Sequence, residues 1–471
     1  MRSRRDFNRG LAALAFGGLT LGGCGRLGDY AQRIPGFRTG AMVPANPYGD
    51  LAQSGTCPEL DLPLGFTCDN ISECEERLTC GEPVPDSADG MGAFAIDSSH
   101  VALVRNHEIA DPCLGGTTTV VYDYKKGKRR EHYRSLRGTR RNCAGGVTPW
   151  GTWLSCEEDL TKGHGFVYEV PALADGIQRR SPIIQLGRFN HEAAAVDCRT
   201  GAIYMTEDQI DGLFYRFLPE SSESPLGRGS LQVLAFADDA DRNLDVRNWR
   251  GAEWDAGERR QVKWETLPDA WGLDDPRKRA HRELNAIRFA CGEGIHMGSD
   301  EIYFVCTSGG RIKSGQIMRY DPHPDDPQRG TLQLFLESVD PRFFNFGDNL
   351  TVAPNGHLIV CEDPYFGGEG NFAMRDVAGL LGTPAPCYLR GVTPEGAIYR
   401  IARLRGGSEF AGVCFSPDGG TLFVNRYHPA RTYAIKGPWK FETDPAWRLY
   451  QARAESKIAP PELGGKPCPV V

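Results

Sequence analysis

Short apolar runs recur along this chain, each followed by a tight turn and a second run that ends in polar or acidic residues. Six such pairs stand out. Gly92–Ile96 turns into Val101–Val104, Val147–Pro149 into Trp153–Leu154, and Ala194–Val196 into Ile203–Met205. Ile295–Met297 turns into Ile302–Val305, Leu350–Val352 into Leu358–Val360, and Val413–Phe415 into Leu422–Val424. Most are followed by another β-type run, among them Thr118–Tyr122, Phe166–Val170, Leu213–Phe217, Gln316–Tyr320, Ala397–Ile401 and Thr432–Ile435. Three or four strands per unit at about 50-residue spacing is the arithmetic of a propeller. The pattern therefore predicts an all-β fold, a six-bladed β-propeller with a Cys-rich N-terminal extension. The long interval between the third and fourth units predicts an insertion on the third blade, at about residues 219–286. It carries a Ser/Pro/Gly linker, a strand-like run at Leu231–Phe236 and a helix-leaning stretch from Asp274 to Arg288. A sandwich or a pair of smaller β domains is the competing arrangement.

In a propeller the first strand of each blade lines the central channel, so residues just before those strands converge at one mouth. Here they are Asp89, Cys143, Glu192, Glu293, Asp348 and Glu409: five carboxylates, one thiol and no base. Carboxylates crowded together raise one another's pKa unless a cation sits among them, which predicts bound multivalent metal. The second strands end in further acids, Glu108, Glu157, Glu158, Glu207, Asp208, Glu362 and Asp363. Some are expected as a supporting layer, others as solvated turn residues. Oxygen-rich sites suit calcium, whereas a thiolate suits iron or zinc, so the mixture suggests more than one kind of ion.

Composition narrows the classes. Gly 57 and Pro 32 of 471 residues, without a Gly-X-Y period, indicate a turn-rich globular chain. The formal net charge is −7, and the first 23 residues carry four Arg and one Asp, so the remainder stands at −10. An acidic body without a basic stripe argues against nucleic acid as a partner. Residues 1–23 read as an export signal: Ser3-Arg4-Arg5-Asp6-Phe7 is a twin-arginine pattern, Leu11–Leu21 is apolar, and Leu21-Gly22-Gly23-Cys24 is a lipobox. The expectation is a periplasmic or outer-membrane-anchored lipoprotein attached only through lipid on Cys24. Residues 24–61 are then a linker, 62–447 the propeller and 448–471 a tail, and the protein is expected to act as a monomer. With Cys24 lipidated, 14 cysteines remain. Cys57, Cys68, Cys74 and Cys80 are expected to pair locally or with distant partners. Cys156, Cys306 and Cys361 occupy equivalent strand ends in different blades and are expected to be buried and inert. Cys143 is either a metal ligand or the partner of Cys291 in a disulfide.

Several of these runs carry a family likeness. Arg141-Asn142-Cys143-Ala144-Gly145-Gly146 with Thr148-Pro149-Trp150-Gly151-Thr152-Trp153-Leu154 and Glu157-Glu158 resembles the PhoX-type alkaline phosphatases, also called DUF839. Val104-Arg105-Asn106-His107-Glu108, Gly187-Arg188-Phe189 before His191-Glu192, and Phe415-Ser416-Pro417-Asp418-Gly419 before Thr421–Asn425 add to it. The likeness runs from about Leu62 to Trp439. It implies a six-bladed propeller holding ferric iron and calcium, bridged by an oxo group, that hydrolyses small phosphomonoesters. On that analogy Cys143, Glu192 and Glu293 bind or bridge iron and are the catalytic set, and Glu108, Glu158 and Glu409 serve calcium or the shared cluster; the ring and the strand-end pattern add Asp348 and Glu157 to the expected metal ligands. Substrate contacts would come from Asn142, Arg141 and Arg288, with Arg140 as a further candidate. Cations in such a ring would polarise phosphoryl oxygens and stabilise the leaving alkoxide, so no side-chain nucleophile is required. The chain accordingly has neither a Gly-x-Ser-x-Gly elbow nor a P-loop. One position departs: Cys291 stands where the family commonly has an arginine, two residues before Glu293. The alternatives are a calcium-dependent propeller lactonase or phosphotriesterase, and a non-enzymatic propeller stiffened by calcium.

Overall fold

The computed structural model describes residues 42, 46–250, 254–268, 275–364 and 386–439. The export signal, Cys24 and the 448–471 tail lie outside them. Six antiparallel blades follow in chain order. The first comprises Ala88–Ala95, His100–His107, Gly116–Asp123 and Lys128–Arg137. The second has three strands, Asn142–Val147, Thr152–Glu157 and Val167–Pro171. The third has His191–Val196, Ile203–Glu207, Phe214–Pro219 and Gly229–Phe236, and the fourth Gly292–Met297, Ile302–Cys306, Gln316–Pro322 and Arg329–Glu337. The fifth has Gly347–Val352, Leu358–Glu362, Cys387–Val392 and Ile398–Leu404. The sixth has Phe410–Phe415, Thr421–Arg426 and Arg431–Lys436. The six inner strands abut in one closed circle, first against second and so on to sixth against first. Closure leaves no inner sheet edge exposed.

The circle is fastened by chain from the N-terminal side. Thr67–Glu73 pairs with Arg431–Lys436 and becomes the fourth strand of the last blade. Leu60–Pro63 and Leu51–Gln53 extend the fifth blade, so the stretch read as a linker to residue 61 contributes strands to the fold. Among the described residues one disulfide is formed, Cys57–Cys68, and it lies here. Cys74 and Cys80, expected to pair, are free thiols, as are Cys143, Cys291 and the buried Cys156, Cys306 and Cys361. The long interval after the third blade is only partly an insertion. Gly229–Phe236 is that blade's outer strand, and Arg259–Thr266 then joins it to the outer strand of the fourth, fusing the two blades into one nine-stranded sheet. The helix-leaning stretch gives Pro276–Glu283, started by Asp275 accepting from the Arg277 backbone N–H at 3.0 Å with Pro at the first turn. No helix among the described residues is long and apolar enough to cross a membrane.

The apolar alternation of each strand packs blade against blade. Val101, Leu103, Val120, Leu389, Ile401, Phe423 and Ile435 belong to one cluster shared by the first, fifth and sixth blades. Phe214, Trp264, Phe289, Phe304 and Tyr320 form the equivalent between the third and fourth, with Phe214 stacked on Phe304 at 4.3 Å. Adjoining inner strands come so close that some positions admit only glycine. A Cβ on Gly90 would overlap the Ala144 Cα, and Gly412, at φ +58°, would drive one into the Asp89 carbonyl. Both contacts adjoin the acidic ring in sequence, beside Asp89 and Cys143.

Candidate metal centre

The inner strands begin earlier than the apolar pattern predicts, and the ring residues fall inside them. In five blades the register slips by one residue at the start of the inner strand: between Ala88 and Met91, Asn142 and Gly145, His191 and Ala194, Gly292 and Ile295, and Gly347 and Leu350. Each slip is a bulge, and Asp89, Cys143, Glu192, Glu293 and Asp348 are its first residues. A bulge bends its strand and re-aims a side chain, which here brings each candidate ligand into the axial cluster. The sixth blade differs. Its bulge lies between Ala411 and Cys414, and Glu409 precedes the strand.

Neighbouring blades hold these bulges. Asn106 on the first blade donates to the carbonyls of Cys143 at 3.1 Å and Ala144 at 2.7 Å. Its own carbonyl accepts from Trp153 Nε1 at 2.9 Å and Ser155 Oγ at 2.8 Å. Asn425 of the sixth blade donates to the Asp89 carbonyl at 2.6 Å, Thr206 of the third to that of Glu293 at 2.5 Å, and Thr307 of the fourth to that of Gly347 at 2.7 Å. Buried polar side chains on one blade thus fix the backbone that carries the next blade's ligand.

Among the described residues three groups of potential ligand atoms result, in each of which all atoms lie within 4.8 Å of one another: Asp89, Glu108 and Cys143; Cys143, Glu158 and Glu192; and Glu192, Glu293 and Asp348. The groups share Cys143 and Glu192, so seven side chains from five blades form one continuous cluster. Strand alternation decides which terminal acid joins it. In Glu157-Glu158 the first residue faces into its blade and the second faces the axis. Glu157, expected as a ligand, is fully buried, and its carboxylate accepts from the Arg140 and Gly165 backbone N–H groups, both at 2.9 Å, and from Tyr168 at 3.1 Å. Glu207 likewise accepts from the Leu213 N–H and Tyr215, each at 3.0 Å, and Glu362 is bound by Arg390 Nε at 2.7 Å. These three acids organise loops. Asp208, by contrast, is felt electrostatically by Glu158, Glu192, Glu293 and Asp348, and Asp363 is the strongest charged neighbour of Asp348 and of Glu409. Sequence reading had both acids among the strand ends but did not single them out; the step after a Glu at each second-strand end is the signal that separates them.

The electrostatics demand cations. Burial first, then Asp348, Glu108 and Glu158, pushes the Asp89 carboxyl far above its ordinary range. Glu192, Glu293, Asp348 and Glu409 are displaced in the same direction, each by burial before its acidic neighbours. Glu158 is raised to about 8 by burial and then Asp208. Burial, Glu108 and Glu192 push the Cys143 thiol up as well, and its sulfur lies 3.4 Å from Glu158 Oε2. Asp89 Oδ1 is buried without a hydrogen-bond partner. Among the described residues the cation that reaches the cluster is Arg141, whose guanidinium lies 2.8 Å from Glu108 and 2.6 Å from Glu158. One monovalent side chain does not offset so many acids, so the donor set fits multivalent metal.

The other expected contacts fall elsewhere. Asn142 is fully buried, donates to Ser155 at 2.8 Å and accepts from Thr139 at 2.6 Å, so it orders the blade and offers nothing to a substrate. Arg140 pairs with Asp159 at 2.7 Å. Arg288 lines a separate pocket beyond the fourth blade's entry strand. Cys291 is buried at φ +55° and hydrogen-bonds Asp208.

Six blades closed in a circle with acids and a thiol gathered on the axis define a β-propeller with a candidate metal centre. The model described as "Alkaline phosphatase PhoX" matches residues 114–430, about two thirds of the chain, and the chain therefore belongs to the PhoX alkaline phosphatase family and is a phosphatase. Among solved structures it is similar to Pseudomonas fluorescens PhoX in complex with vanadate, a transition-state analogue. The two are 19% identical with a TM-score of 0.63, over 83% of this chain and 98% of that one. A gluconolactonase from Xanthomonas campestris is 13% identical with a TM-score of 0.42, over 83% and 99%. No curated protein matches the chain.

Proposed function

We propose that this protein is an exported phosphomonoesterase whose axial cluster holds ferric iron and calcium. The observation that carries this reading is the chain of three ligand groups linked through Cys143 and Glu192, a soft donor embedded among hard ones. Cys143, Glu192 and Glu293 would hold iron, while Asp89, Glu108, Glu158, Asp348 and Glu409 would serve calcium or be shared. When bound, such ions polarise phosphoryl oxygens and stabilise the charge that develops on the leaving oxygen.

The chain's own residues prepare that chemistry. Asn106, Asn425, Thr206 and Thr307 fix the ligand-bearing backbone before any ion arrives, so little reorganisation is left for the reaction. Arg141 stands at the channel mouth with its side chain 44% exposed, held by Glu108 and Glu158. Because Cys291 occupies the family's usual arginine position, the phosphate grip falls to Arg141, whose planar fork suits two phosphate oxygens. Tyr427 steadies Glu108 from the other side at 2.7 Å. The reading also places the protein outside the cytoplasm, on the strength of Ser3–Phe7 and the Leu21–Cys24 lipobox.

The test is hydrolysis of p-nitrophenyl phosphate by the full chain, with iron and calcium counted by elemental analysis in the same sample. Turnover that disappears in Cys143→Ser and Glu192→Gln, together with iron, supports the proposal. Full metal occupancy with no turnover, or turnover indifferent to both substitutions, overturns it.

A further inference from the structure

Against the chain that follows Asp208 lies a pocket that the phosphatase reading does not use. It is lined by Arg242, Arg247, Arg250 and Arg288, with Asn243 and Asn285, over an apolar floor that includes Phe236 and Ile287. Among the described lining residues Asp245 is the one carboxylate; it pairs with Arg247 at 2.7 and 3.0 Å and also feels the charge of Arg250. Arg247 also donates to the Ile210 carbonyl at 3.0 Å and stacks over Trp249 at 4.5 Å. His281, at the pocket's edge, faces the carbonyls of Asp211 and Ala286 at 2.9 and 3.1 Å. Among the described residues, nothing accepts a hydrogen bond or ion pair from the side chains of Arg242, Arg250 or Arg288. Three guanidinium groups, of which Arg250 alone is felt by an acid of the lining, Asp245, therefore converge among the described residues on one concavity of a chain whose net charge is −7.

The pocket and the axial cluster share a wall. The loop that carries Asp208 to the cluster runs on through Ile210 and Asp211, whose carbonyls receive Arg247 and His281. Three residues of chain span at most about 10 Å. On the other side Arg288 leads through Phe289, bonded to Gly212, into Cys291 and Glu293. Like charges held together unpaired repel, and a multiply charged oxyanion is the ligand that relieves them, since guanidinium groups bind phosphate through paired N–H donors.

We propose that the Arg242–Arg250–Arg288 pocket is a subsite for a second phosphate group, supplied either by a substrate that carries two phosphates or by free inorganic phosphate. The substrate arm rests on the phosphatase reading; the binding arm does not. In the metal-loaded full chain, kcat/KM is compared for fructose 1,6-bisphosphate and fructose 6-phosphate. The preference for the bisphosphate is expected to fall about tenfold in the Arg242→Gln/Arg250→Gln/Arg288→Gln variant, and to be partly kept in the corresponding lysine variant. Separately, inorganic phosphate is titrated against tryptophan fluorescence, which Trp249 reports beside the pocket. A saturable change lost in the glutamine variant supports the subsite whether or not any ester is hydrolysed. Loss of the bisphosphate preference assigns the pocket to substrate, and loss of the fluorescence change alone assigns it to free phosphate. Identical behaviour of wild type and variant in both arms overturns the proposal. A protein that turns over no ester, yet still shows the Arg-dependent titration, sinks the catalytic reading and leaves the pocket standing.

Discussion

Glu158→Gln separates the electrostatic argument for metal from the family likeness. The Glu158 carboxyl is pushed from an ordinary 4.5 up to about 8 by burial and Asp208, with Arg141 opposing. A group with a raised folded pKa gives stability that is fully present below the unfolded value and is lost as pH climbs through the folded one. In protein stripped of ions, holding this one side chain ionised above pH 8 therefore costs about 5 kcal/mol. Its side chain is only 13% exposed, so solvent screening removes little of that. The assay is urea unfolding of chelator-treated protein at pH 5 and pH 9. Wild type should lose stability steeply between them, whereas Glu158→Gln should lose about 3 kcal/mol less, some of the benefit being offset by the broken contacts to Arg141 and Cys143. Restoring calcium and iron should reverse the order, because the glutamine ligates poorly. Equal stability of stripped wild type at the two pH values, or an equal fall in the variant, would refute the idea that the ring is held apart by its own charge.

Other perturbations separate structure from chemistry. Glu157→Gln should destabilise the protein by about 1–3 kcal/mol in urea unfolding, through loss of a charged acceptor for the Arg140 and Gly165 N–H groups, while leaving its metal content intact. Asn106→Ala, which frees the Cys143 carbonyl, should lower both stability and iron occupancy by elemental analysis. Gly90→Ala should cost about 1–3 kcal/mol or more in thermal unfolding because its Cβ meets backbone, not a side chain that can move. Arg141→Gln should raise KM for p-nitrophenyl phosphate with the metal count unchanged; an unaltered KM would remove Arg141 from the substrate grip.

The sequence by itself determined the blade count and pointed to the candidate axial ligands at the starts of the inner strands. Six apolar strand pairs, each with an acid or thiol a few residues before its first strand, can be read without coordinates, because inner strands of a closed circle must repeat the same burial pattern. Membership of the family was legible too, in the Asn142–Gly146 run and its Trp150–Leu154 partner. Tertiary structure decided how those ligands turn and which acids join them. The bulges that put Asp89, Cys143, Glu192, Glu293 and Asp348 within the inner strands depend on pairing across blades. The choice of Glu158 over Glu157 depends on strand phase, and one residue of register inverts the face. Closure of the last blade by Thr67–Glu73, the burial of Asn142 and the convergence of Arg288 with Arg242 and Arg250 are likewise contacts between distant segments. A local pattern records what each residue needs, burial or solvent; which distant partner meets that need is settled only when the circle closes.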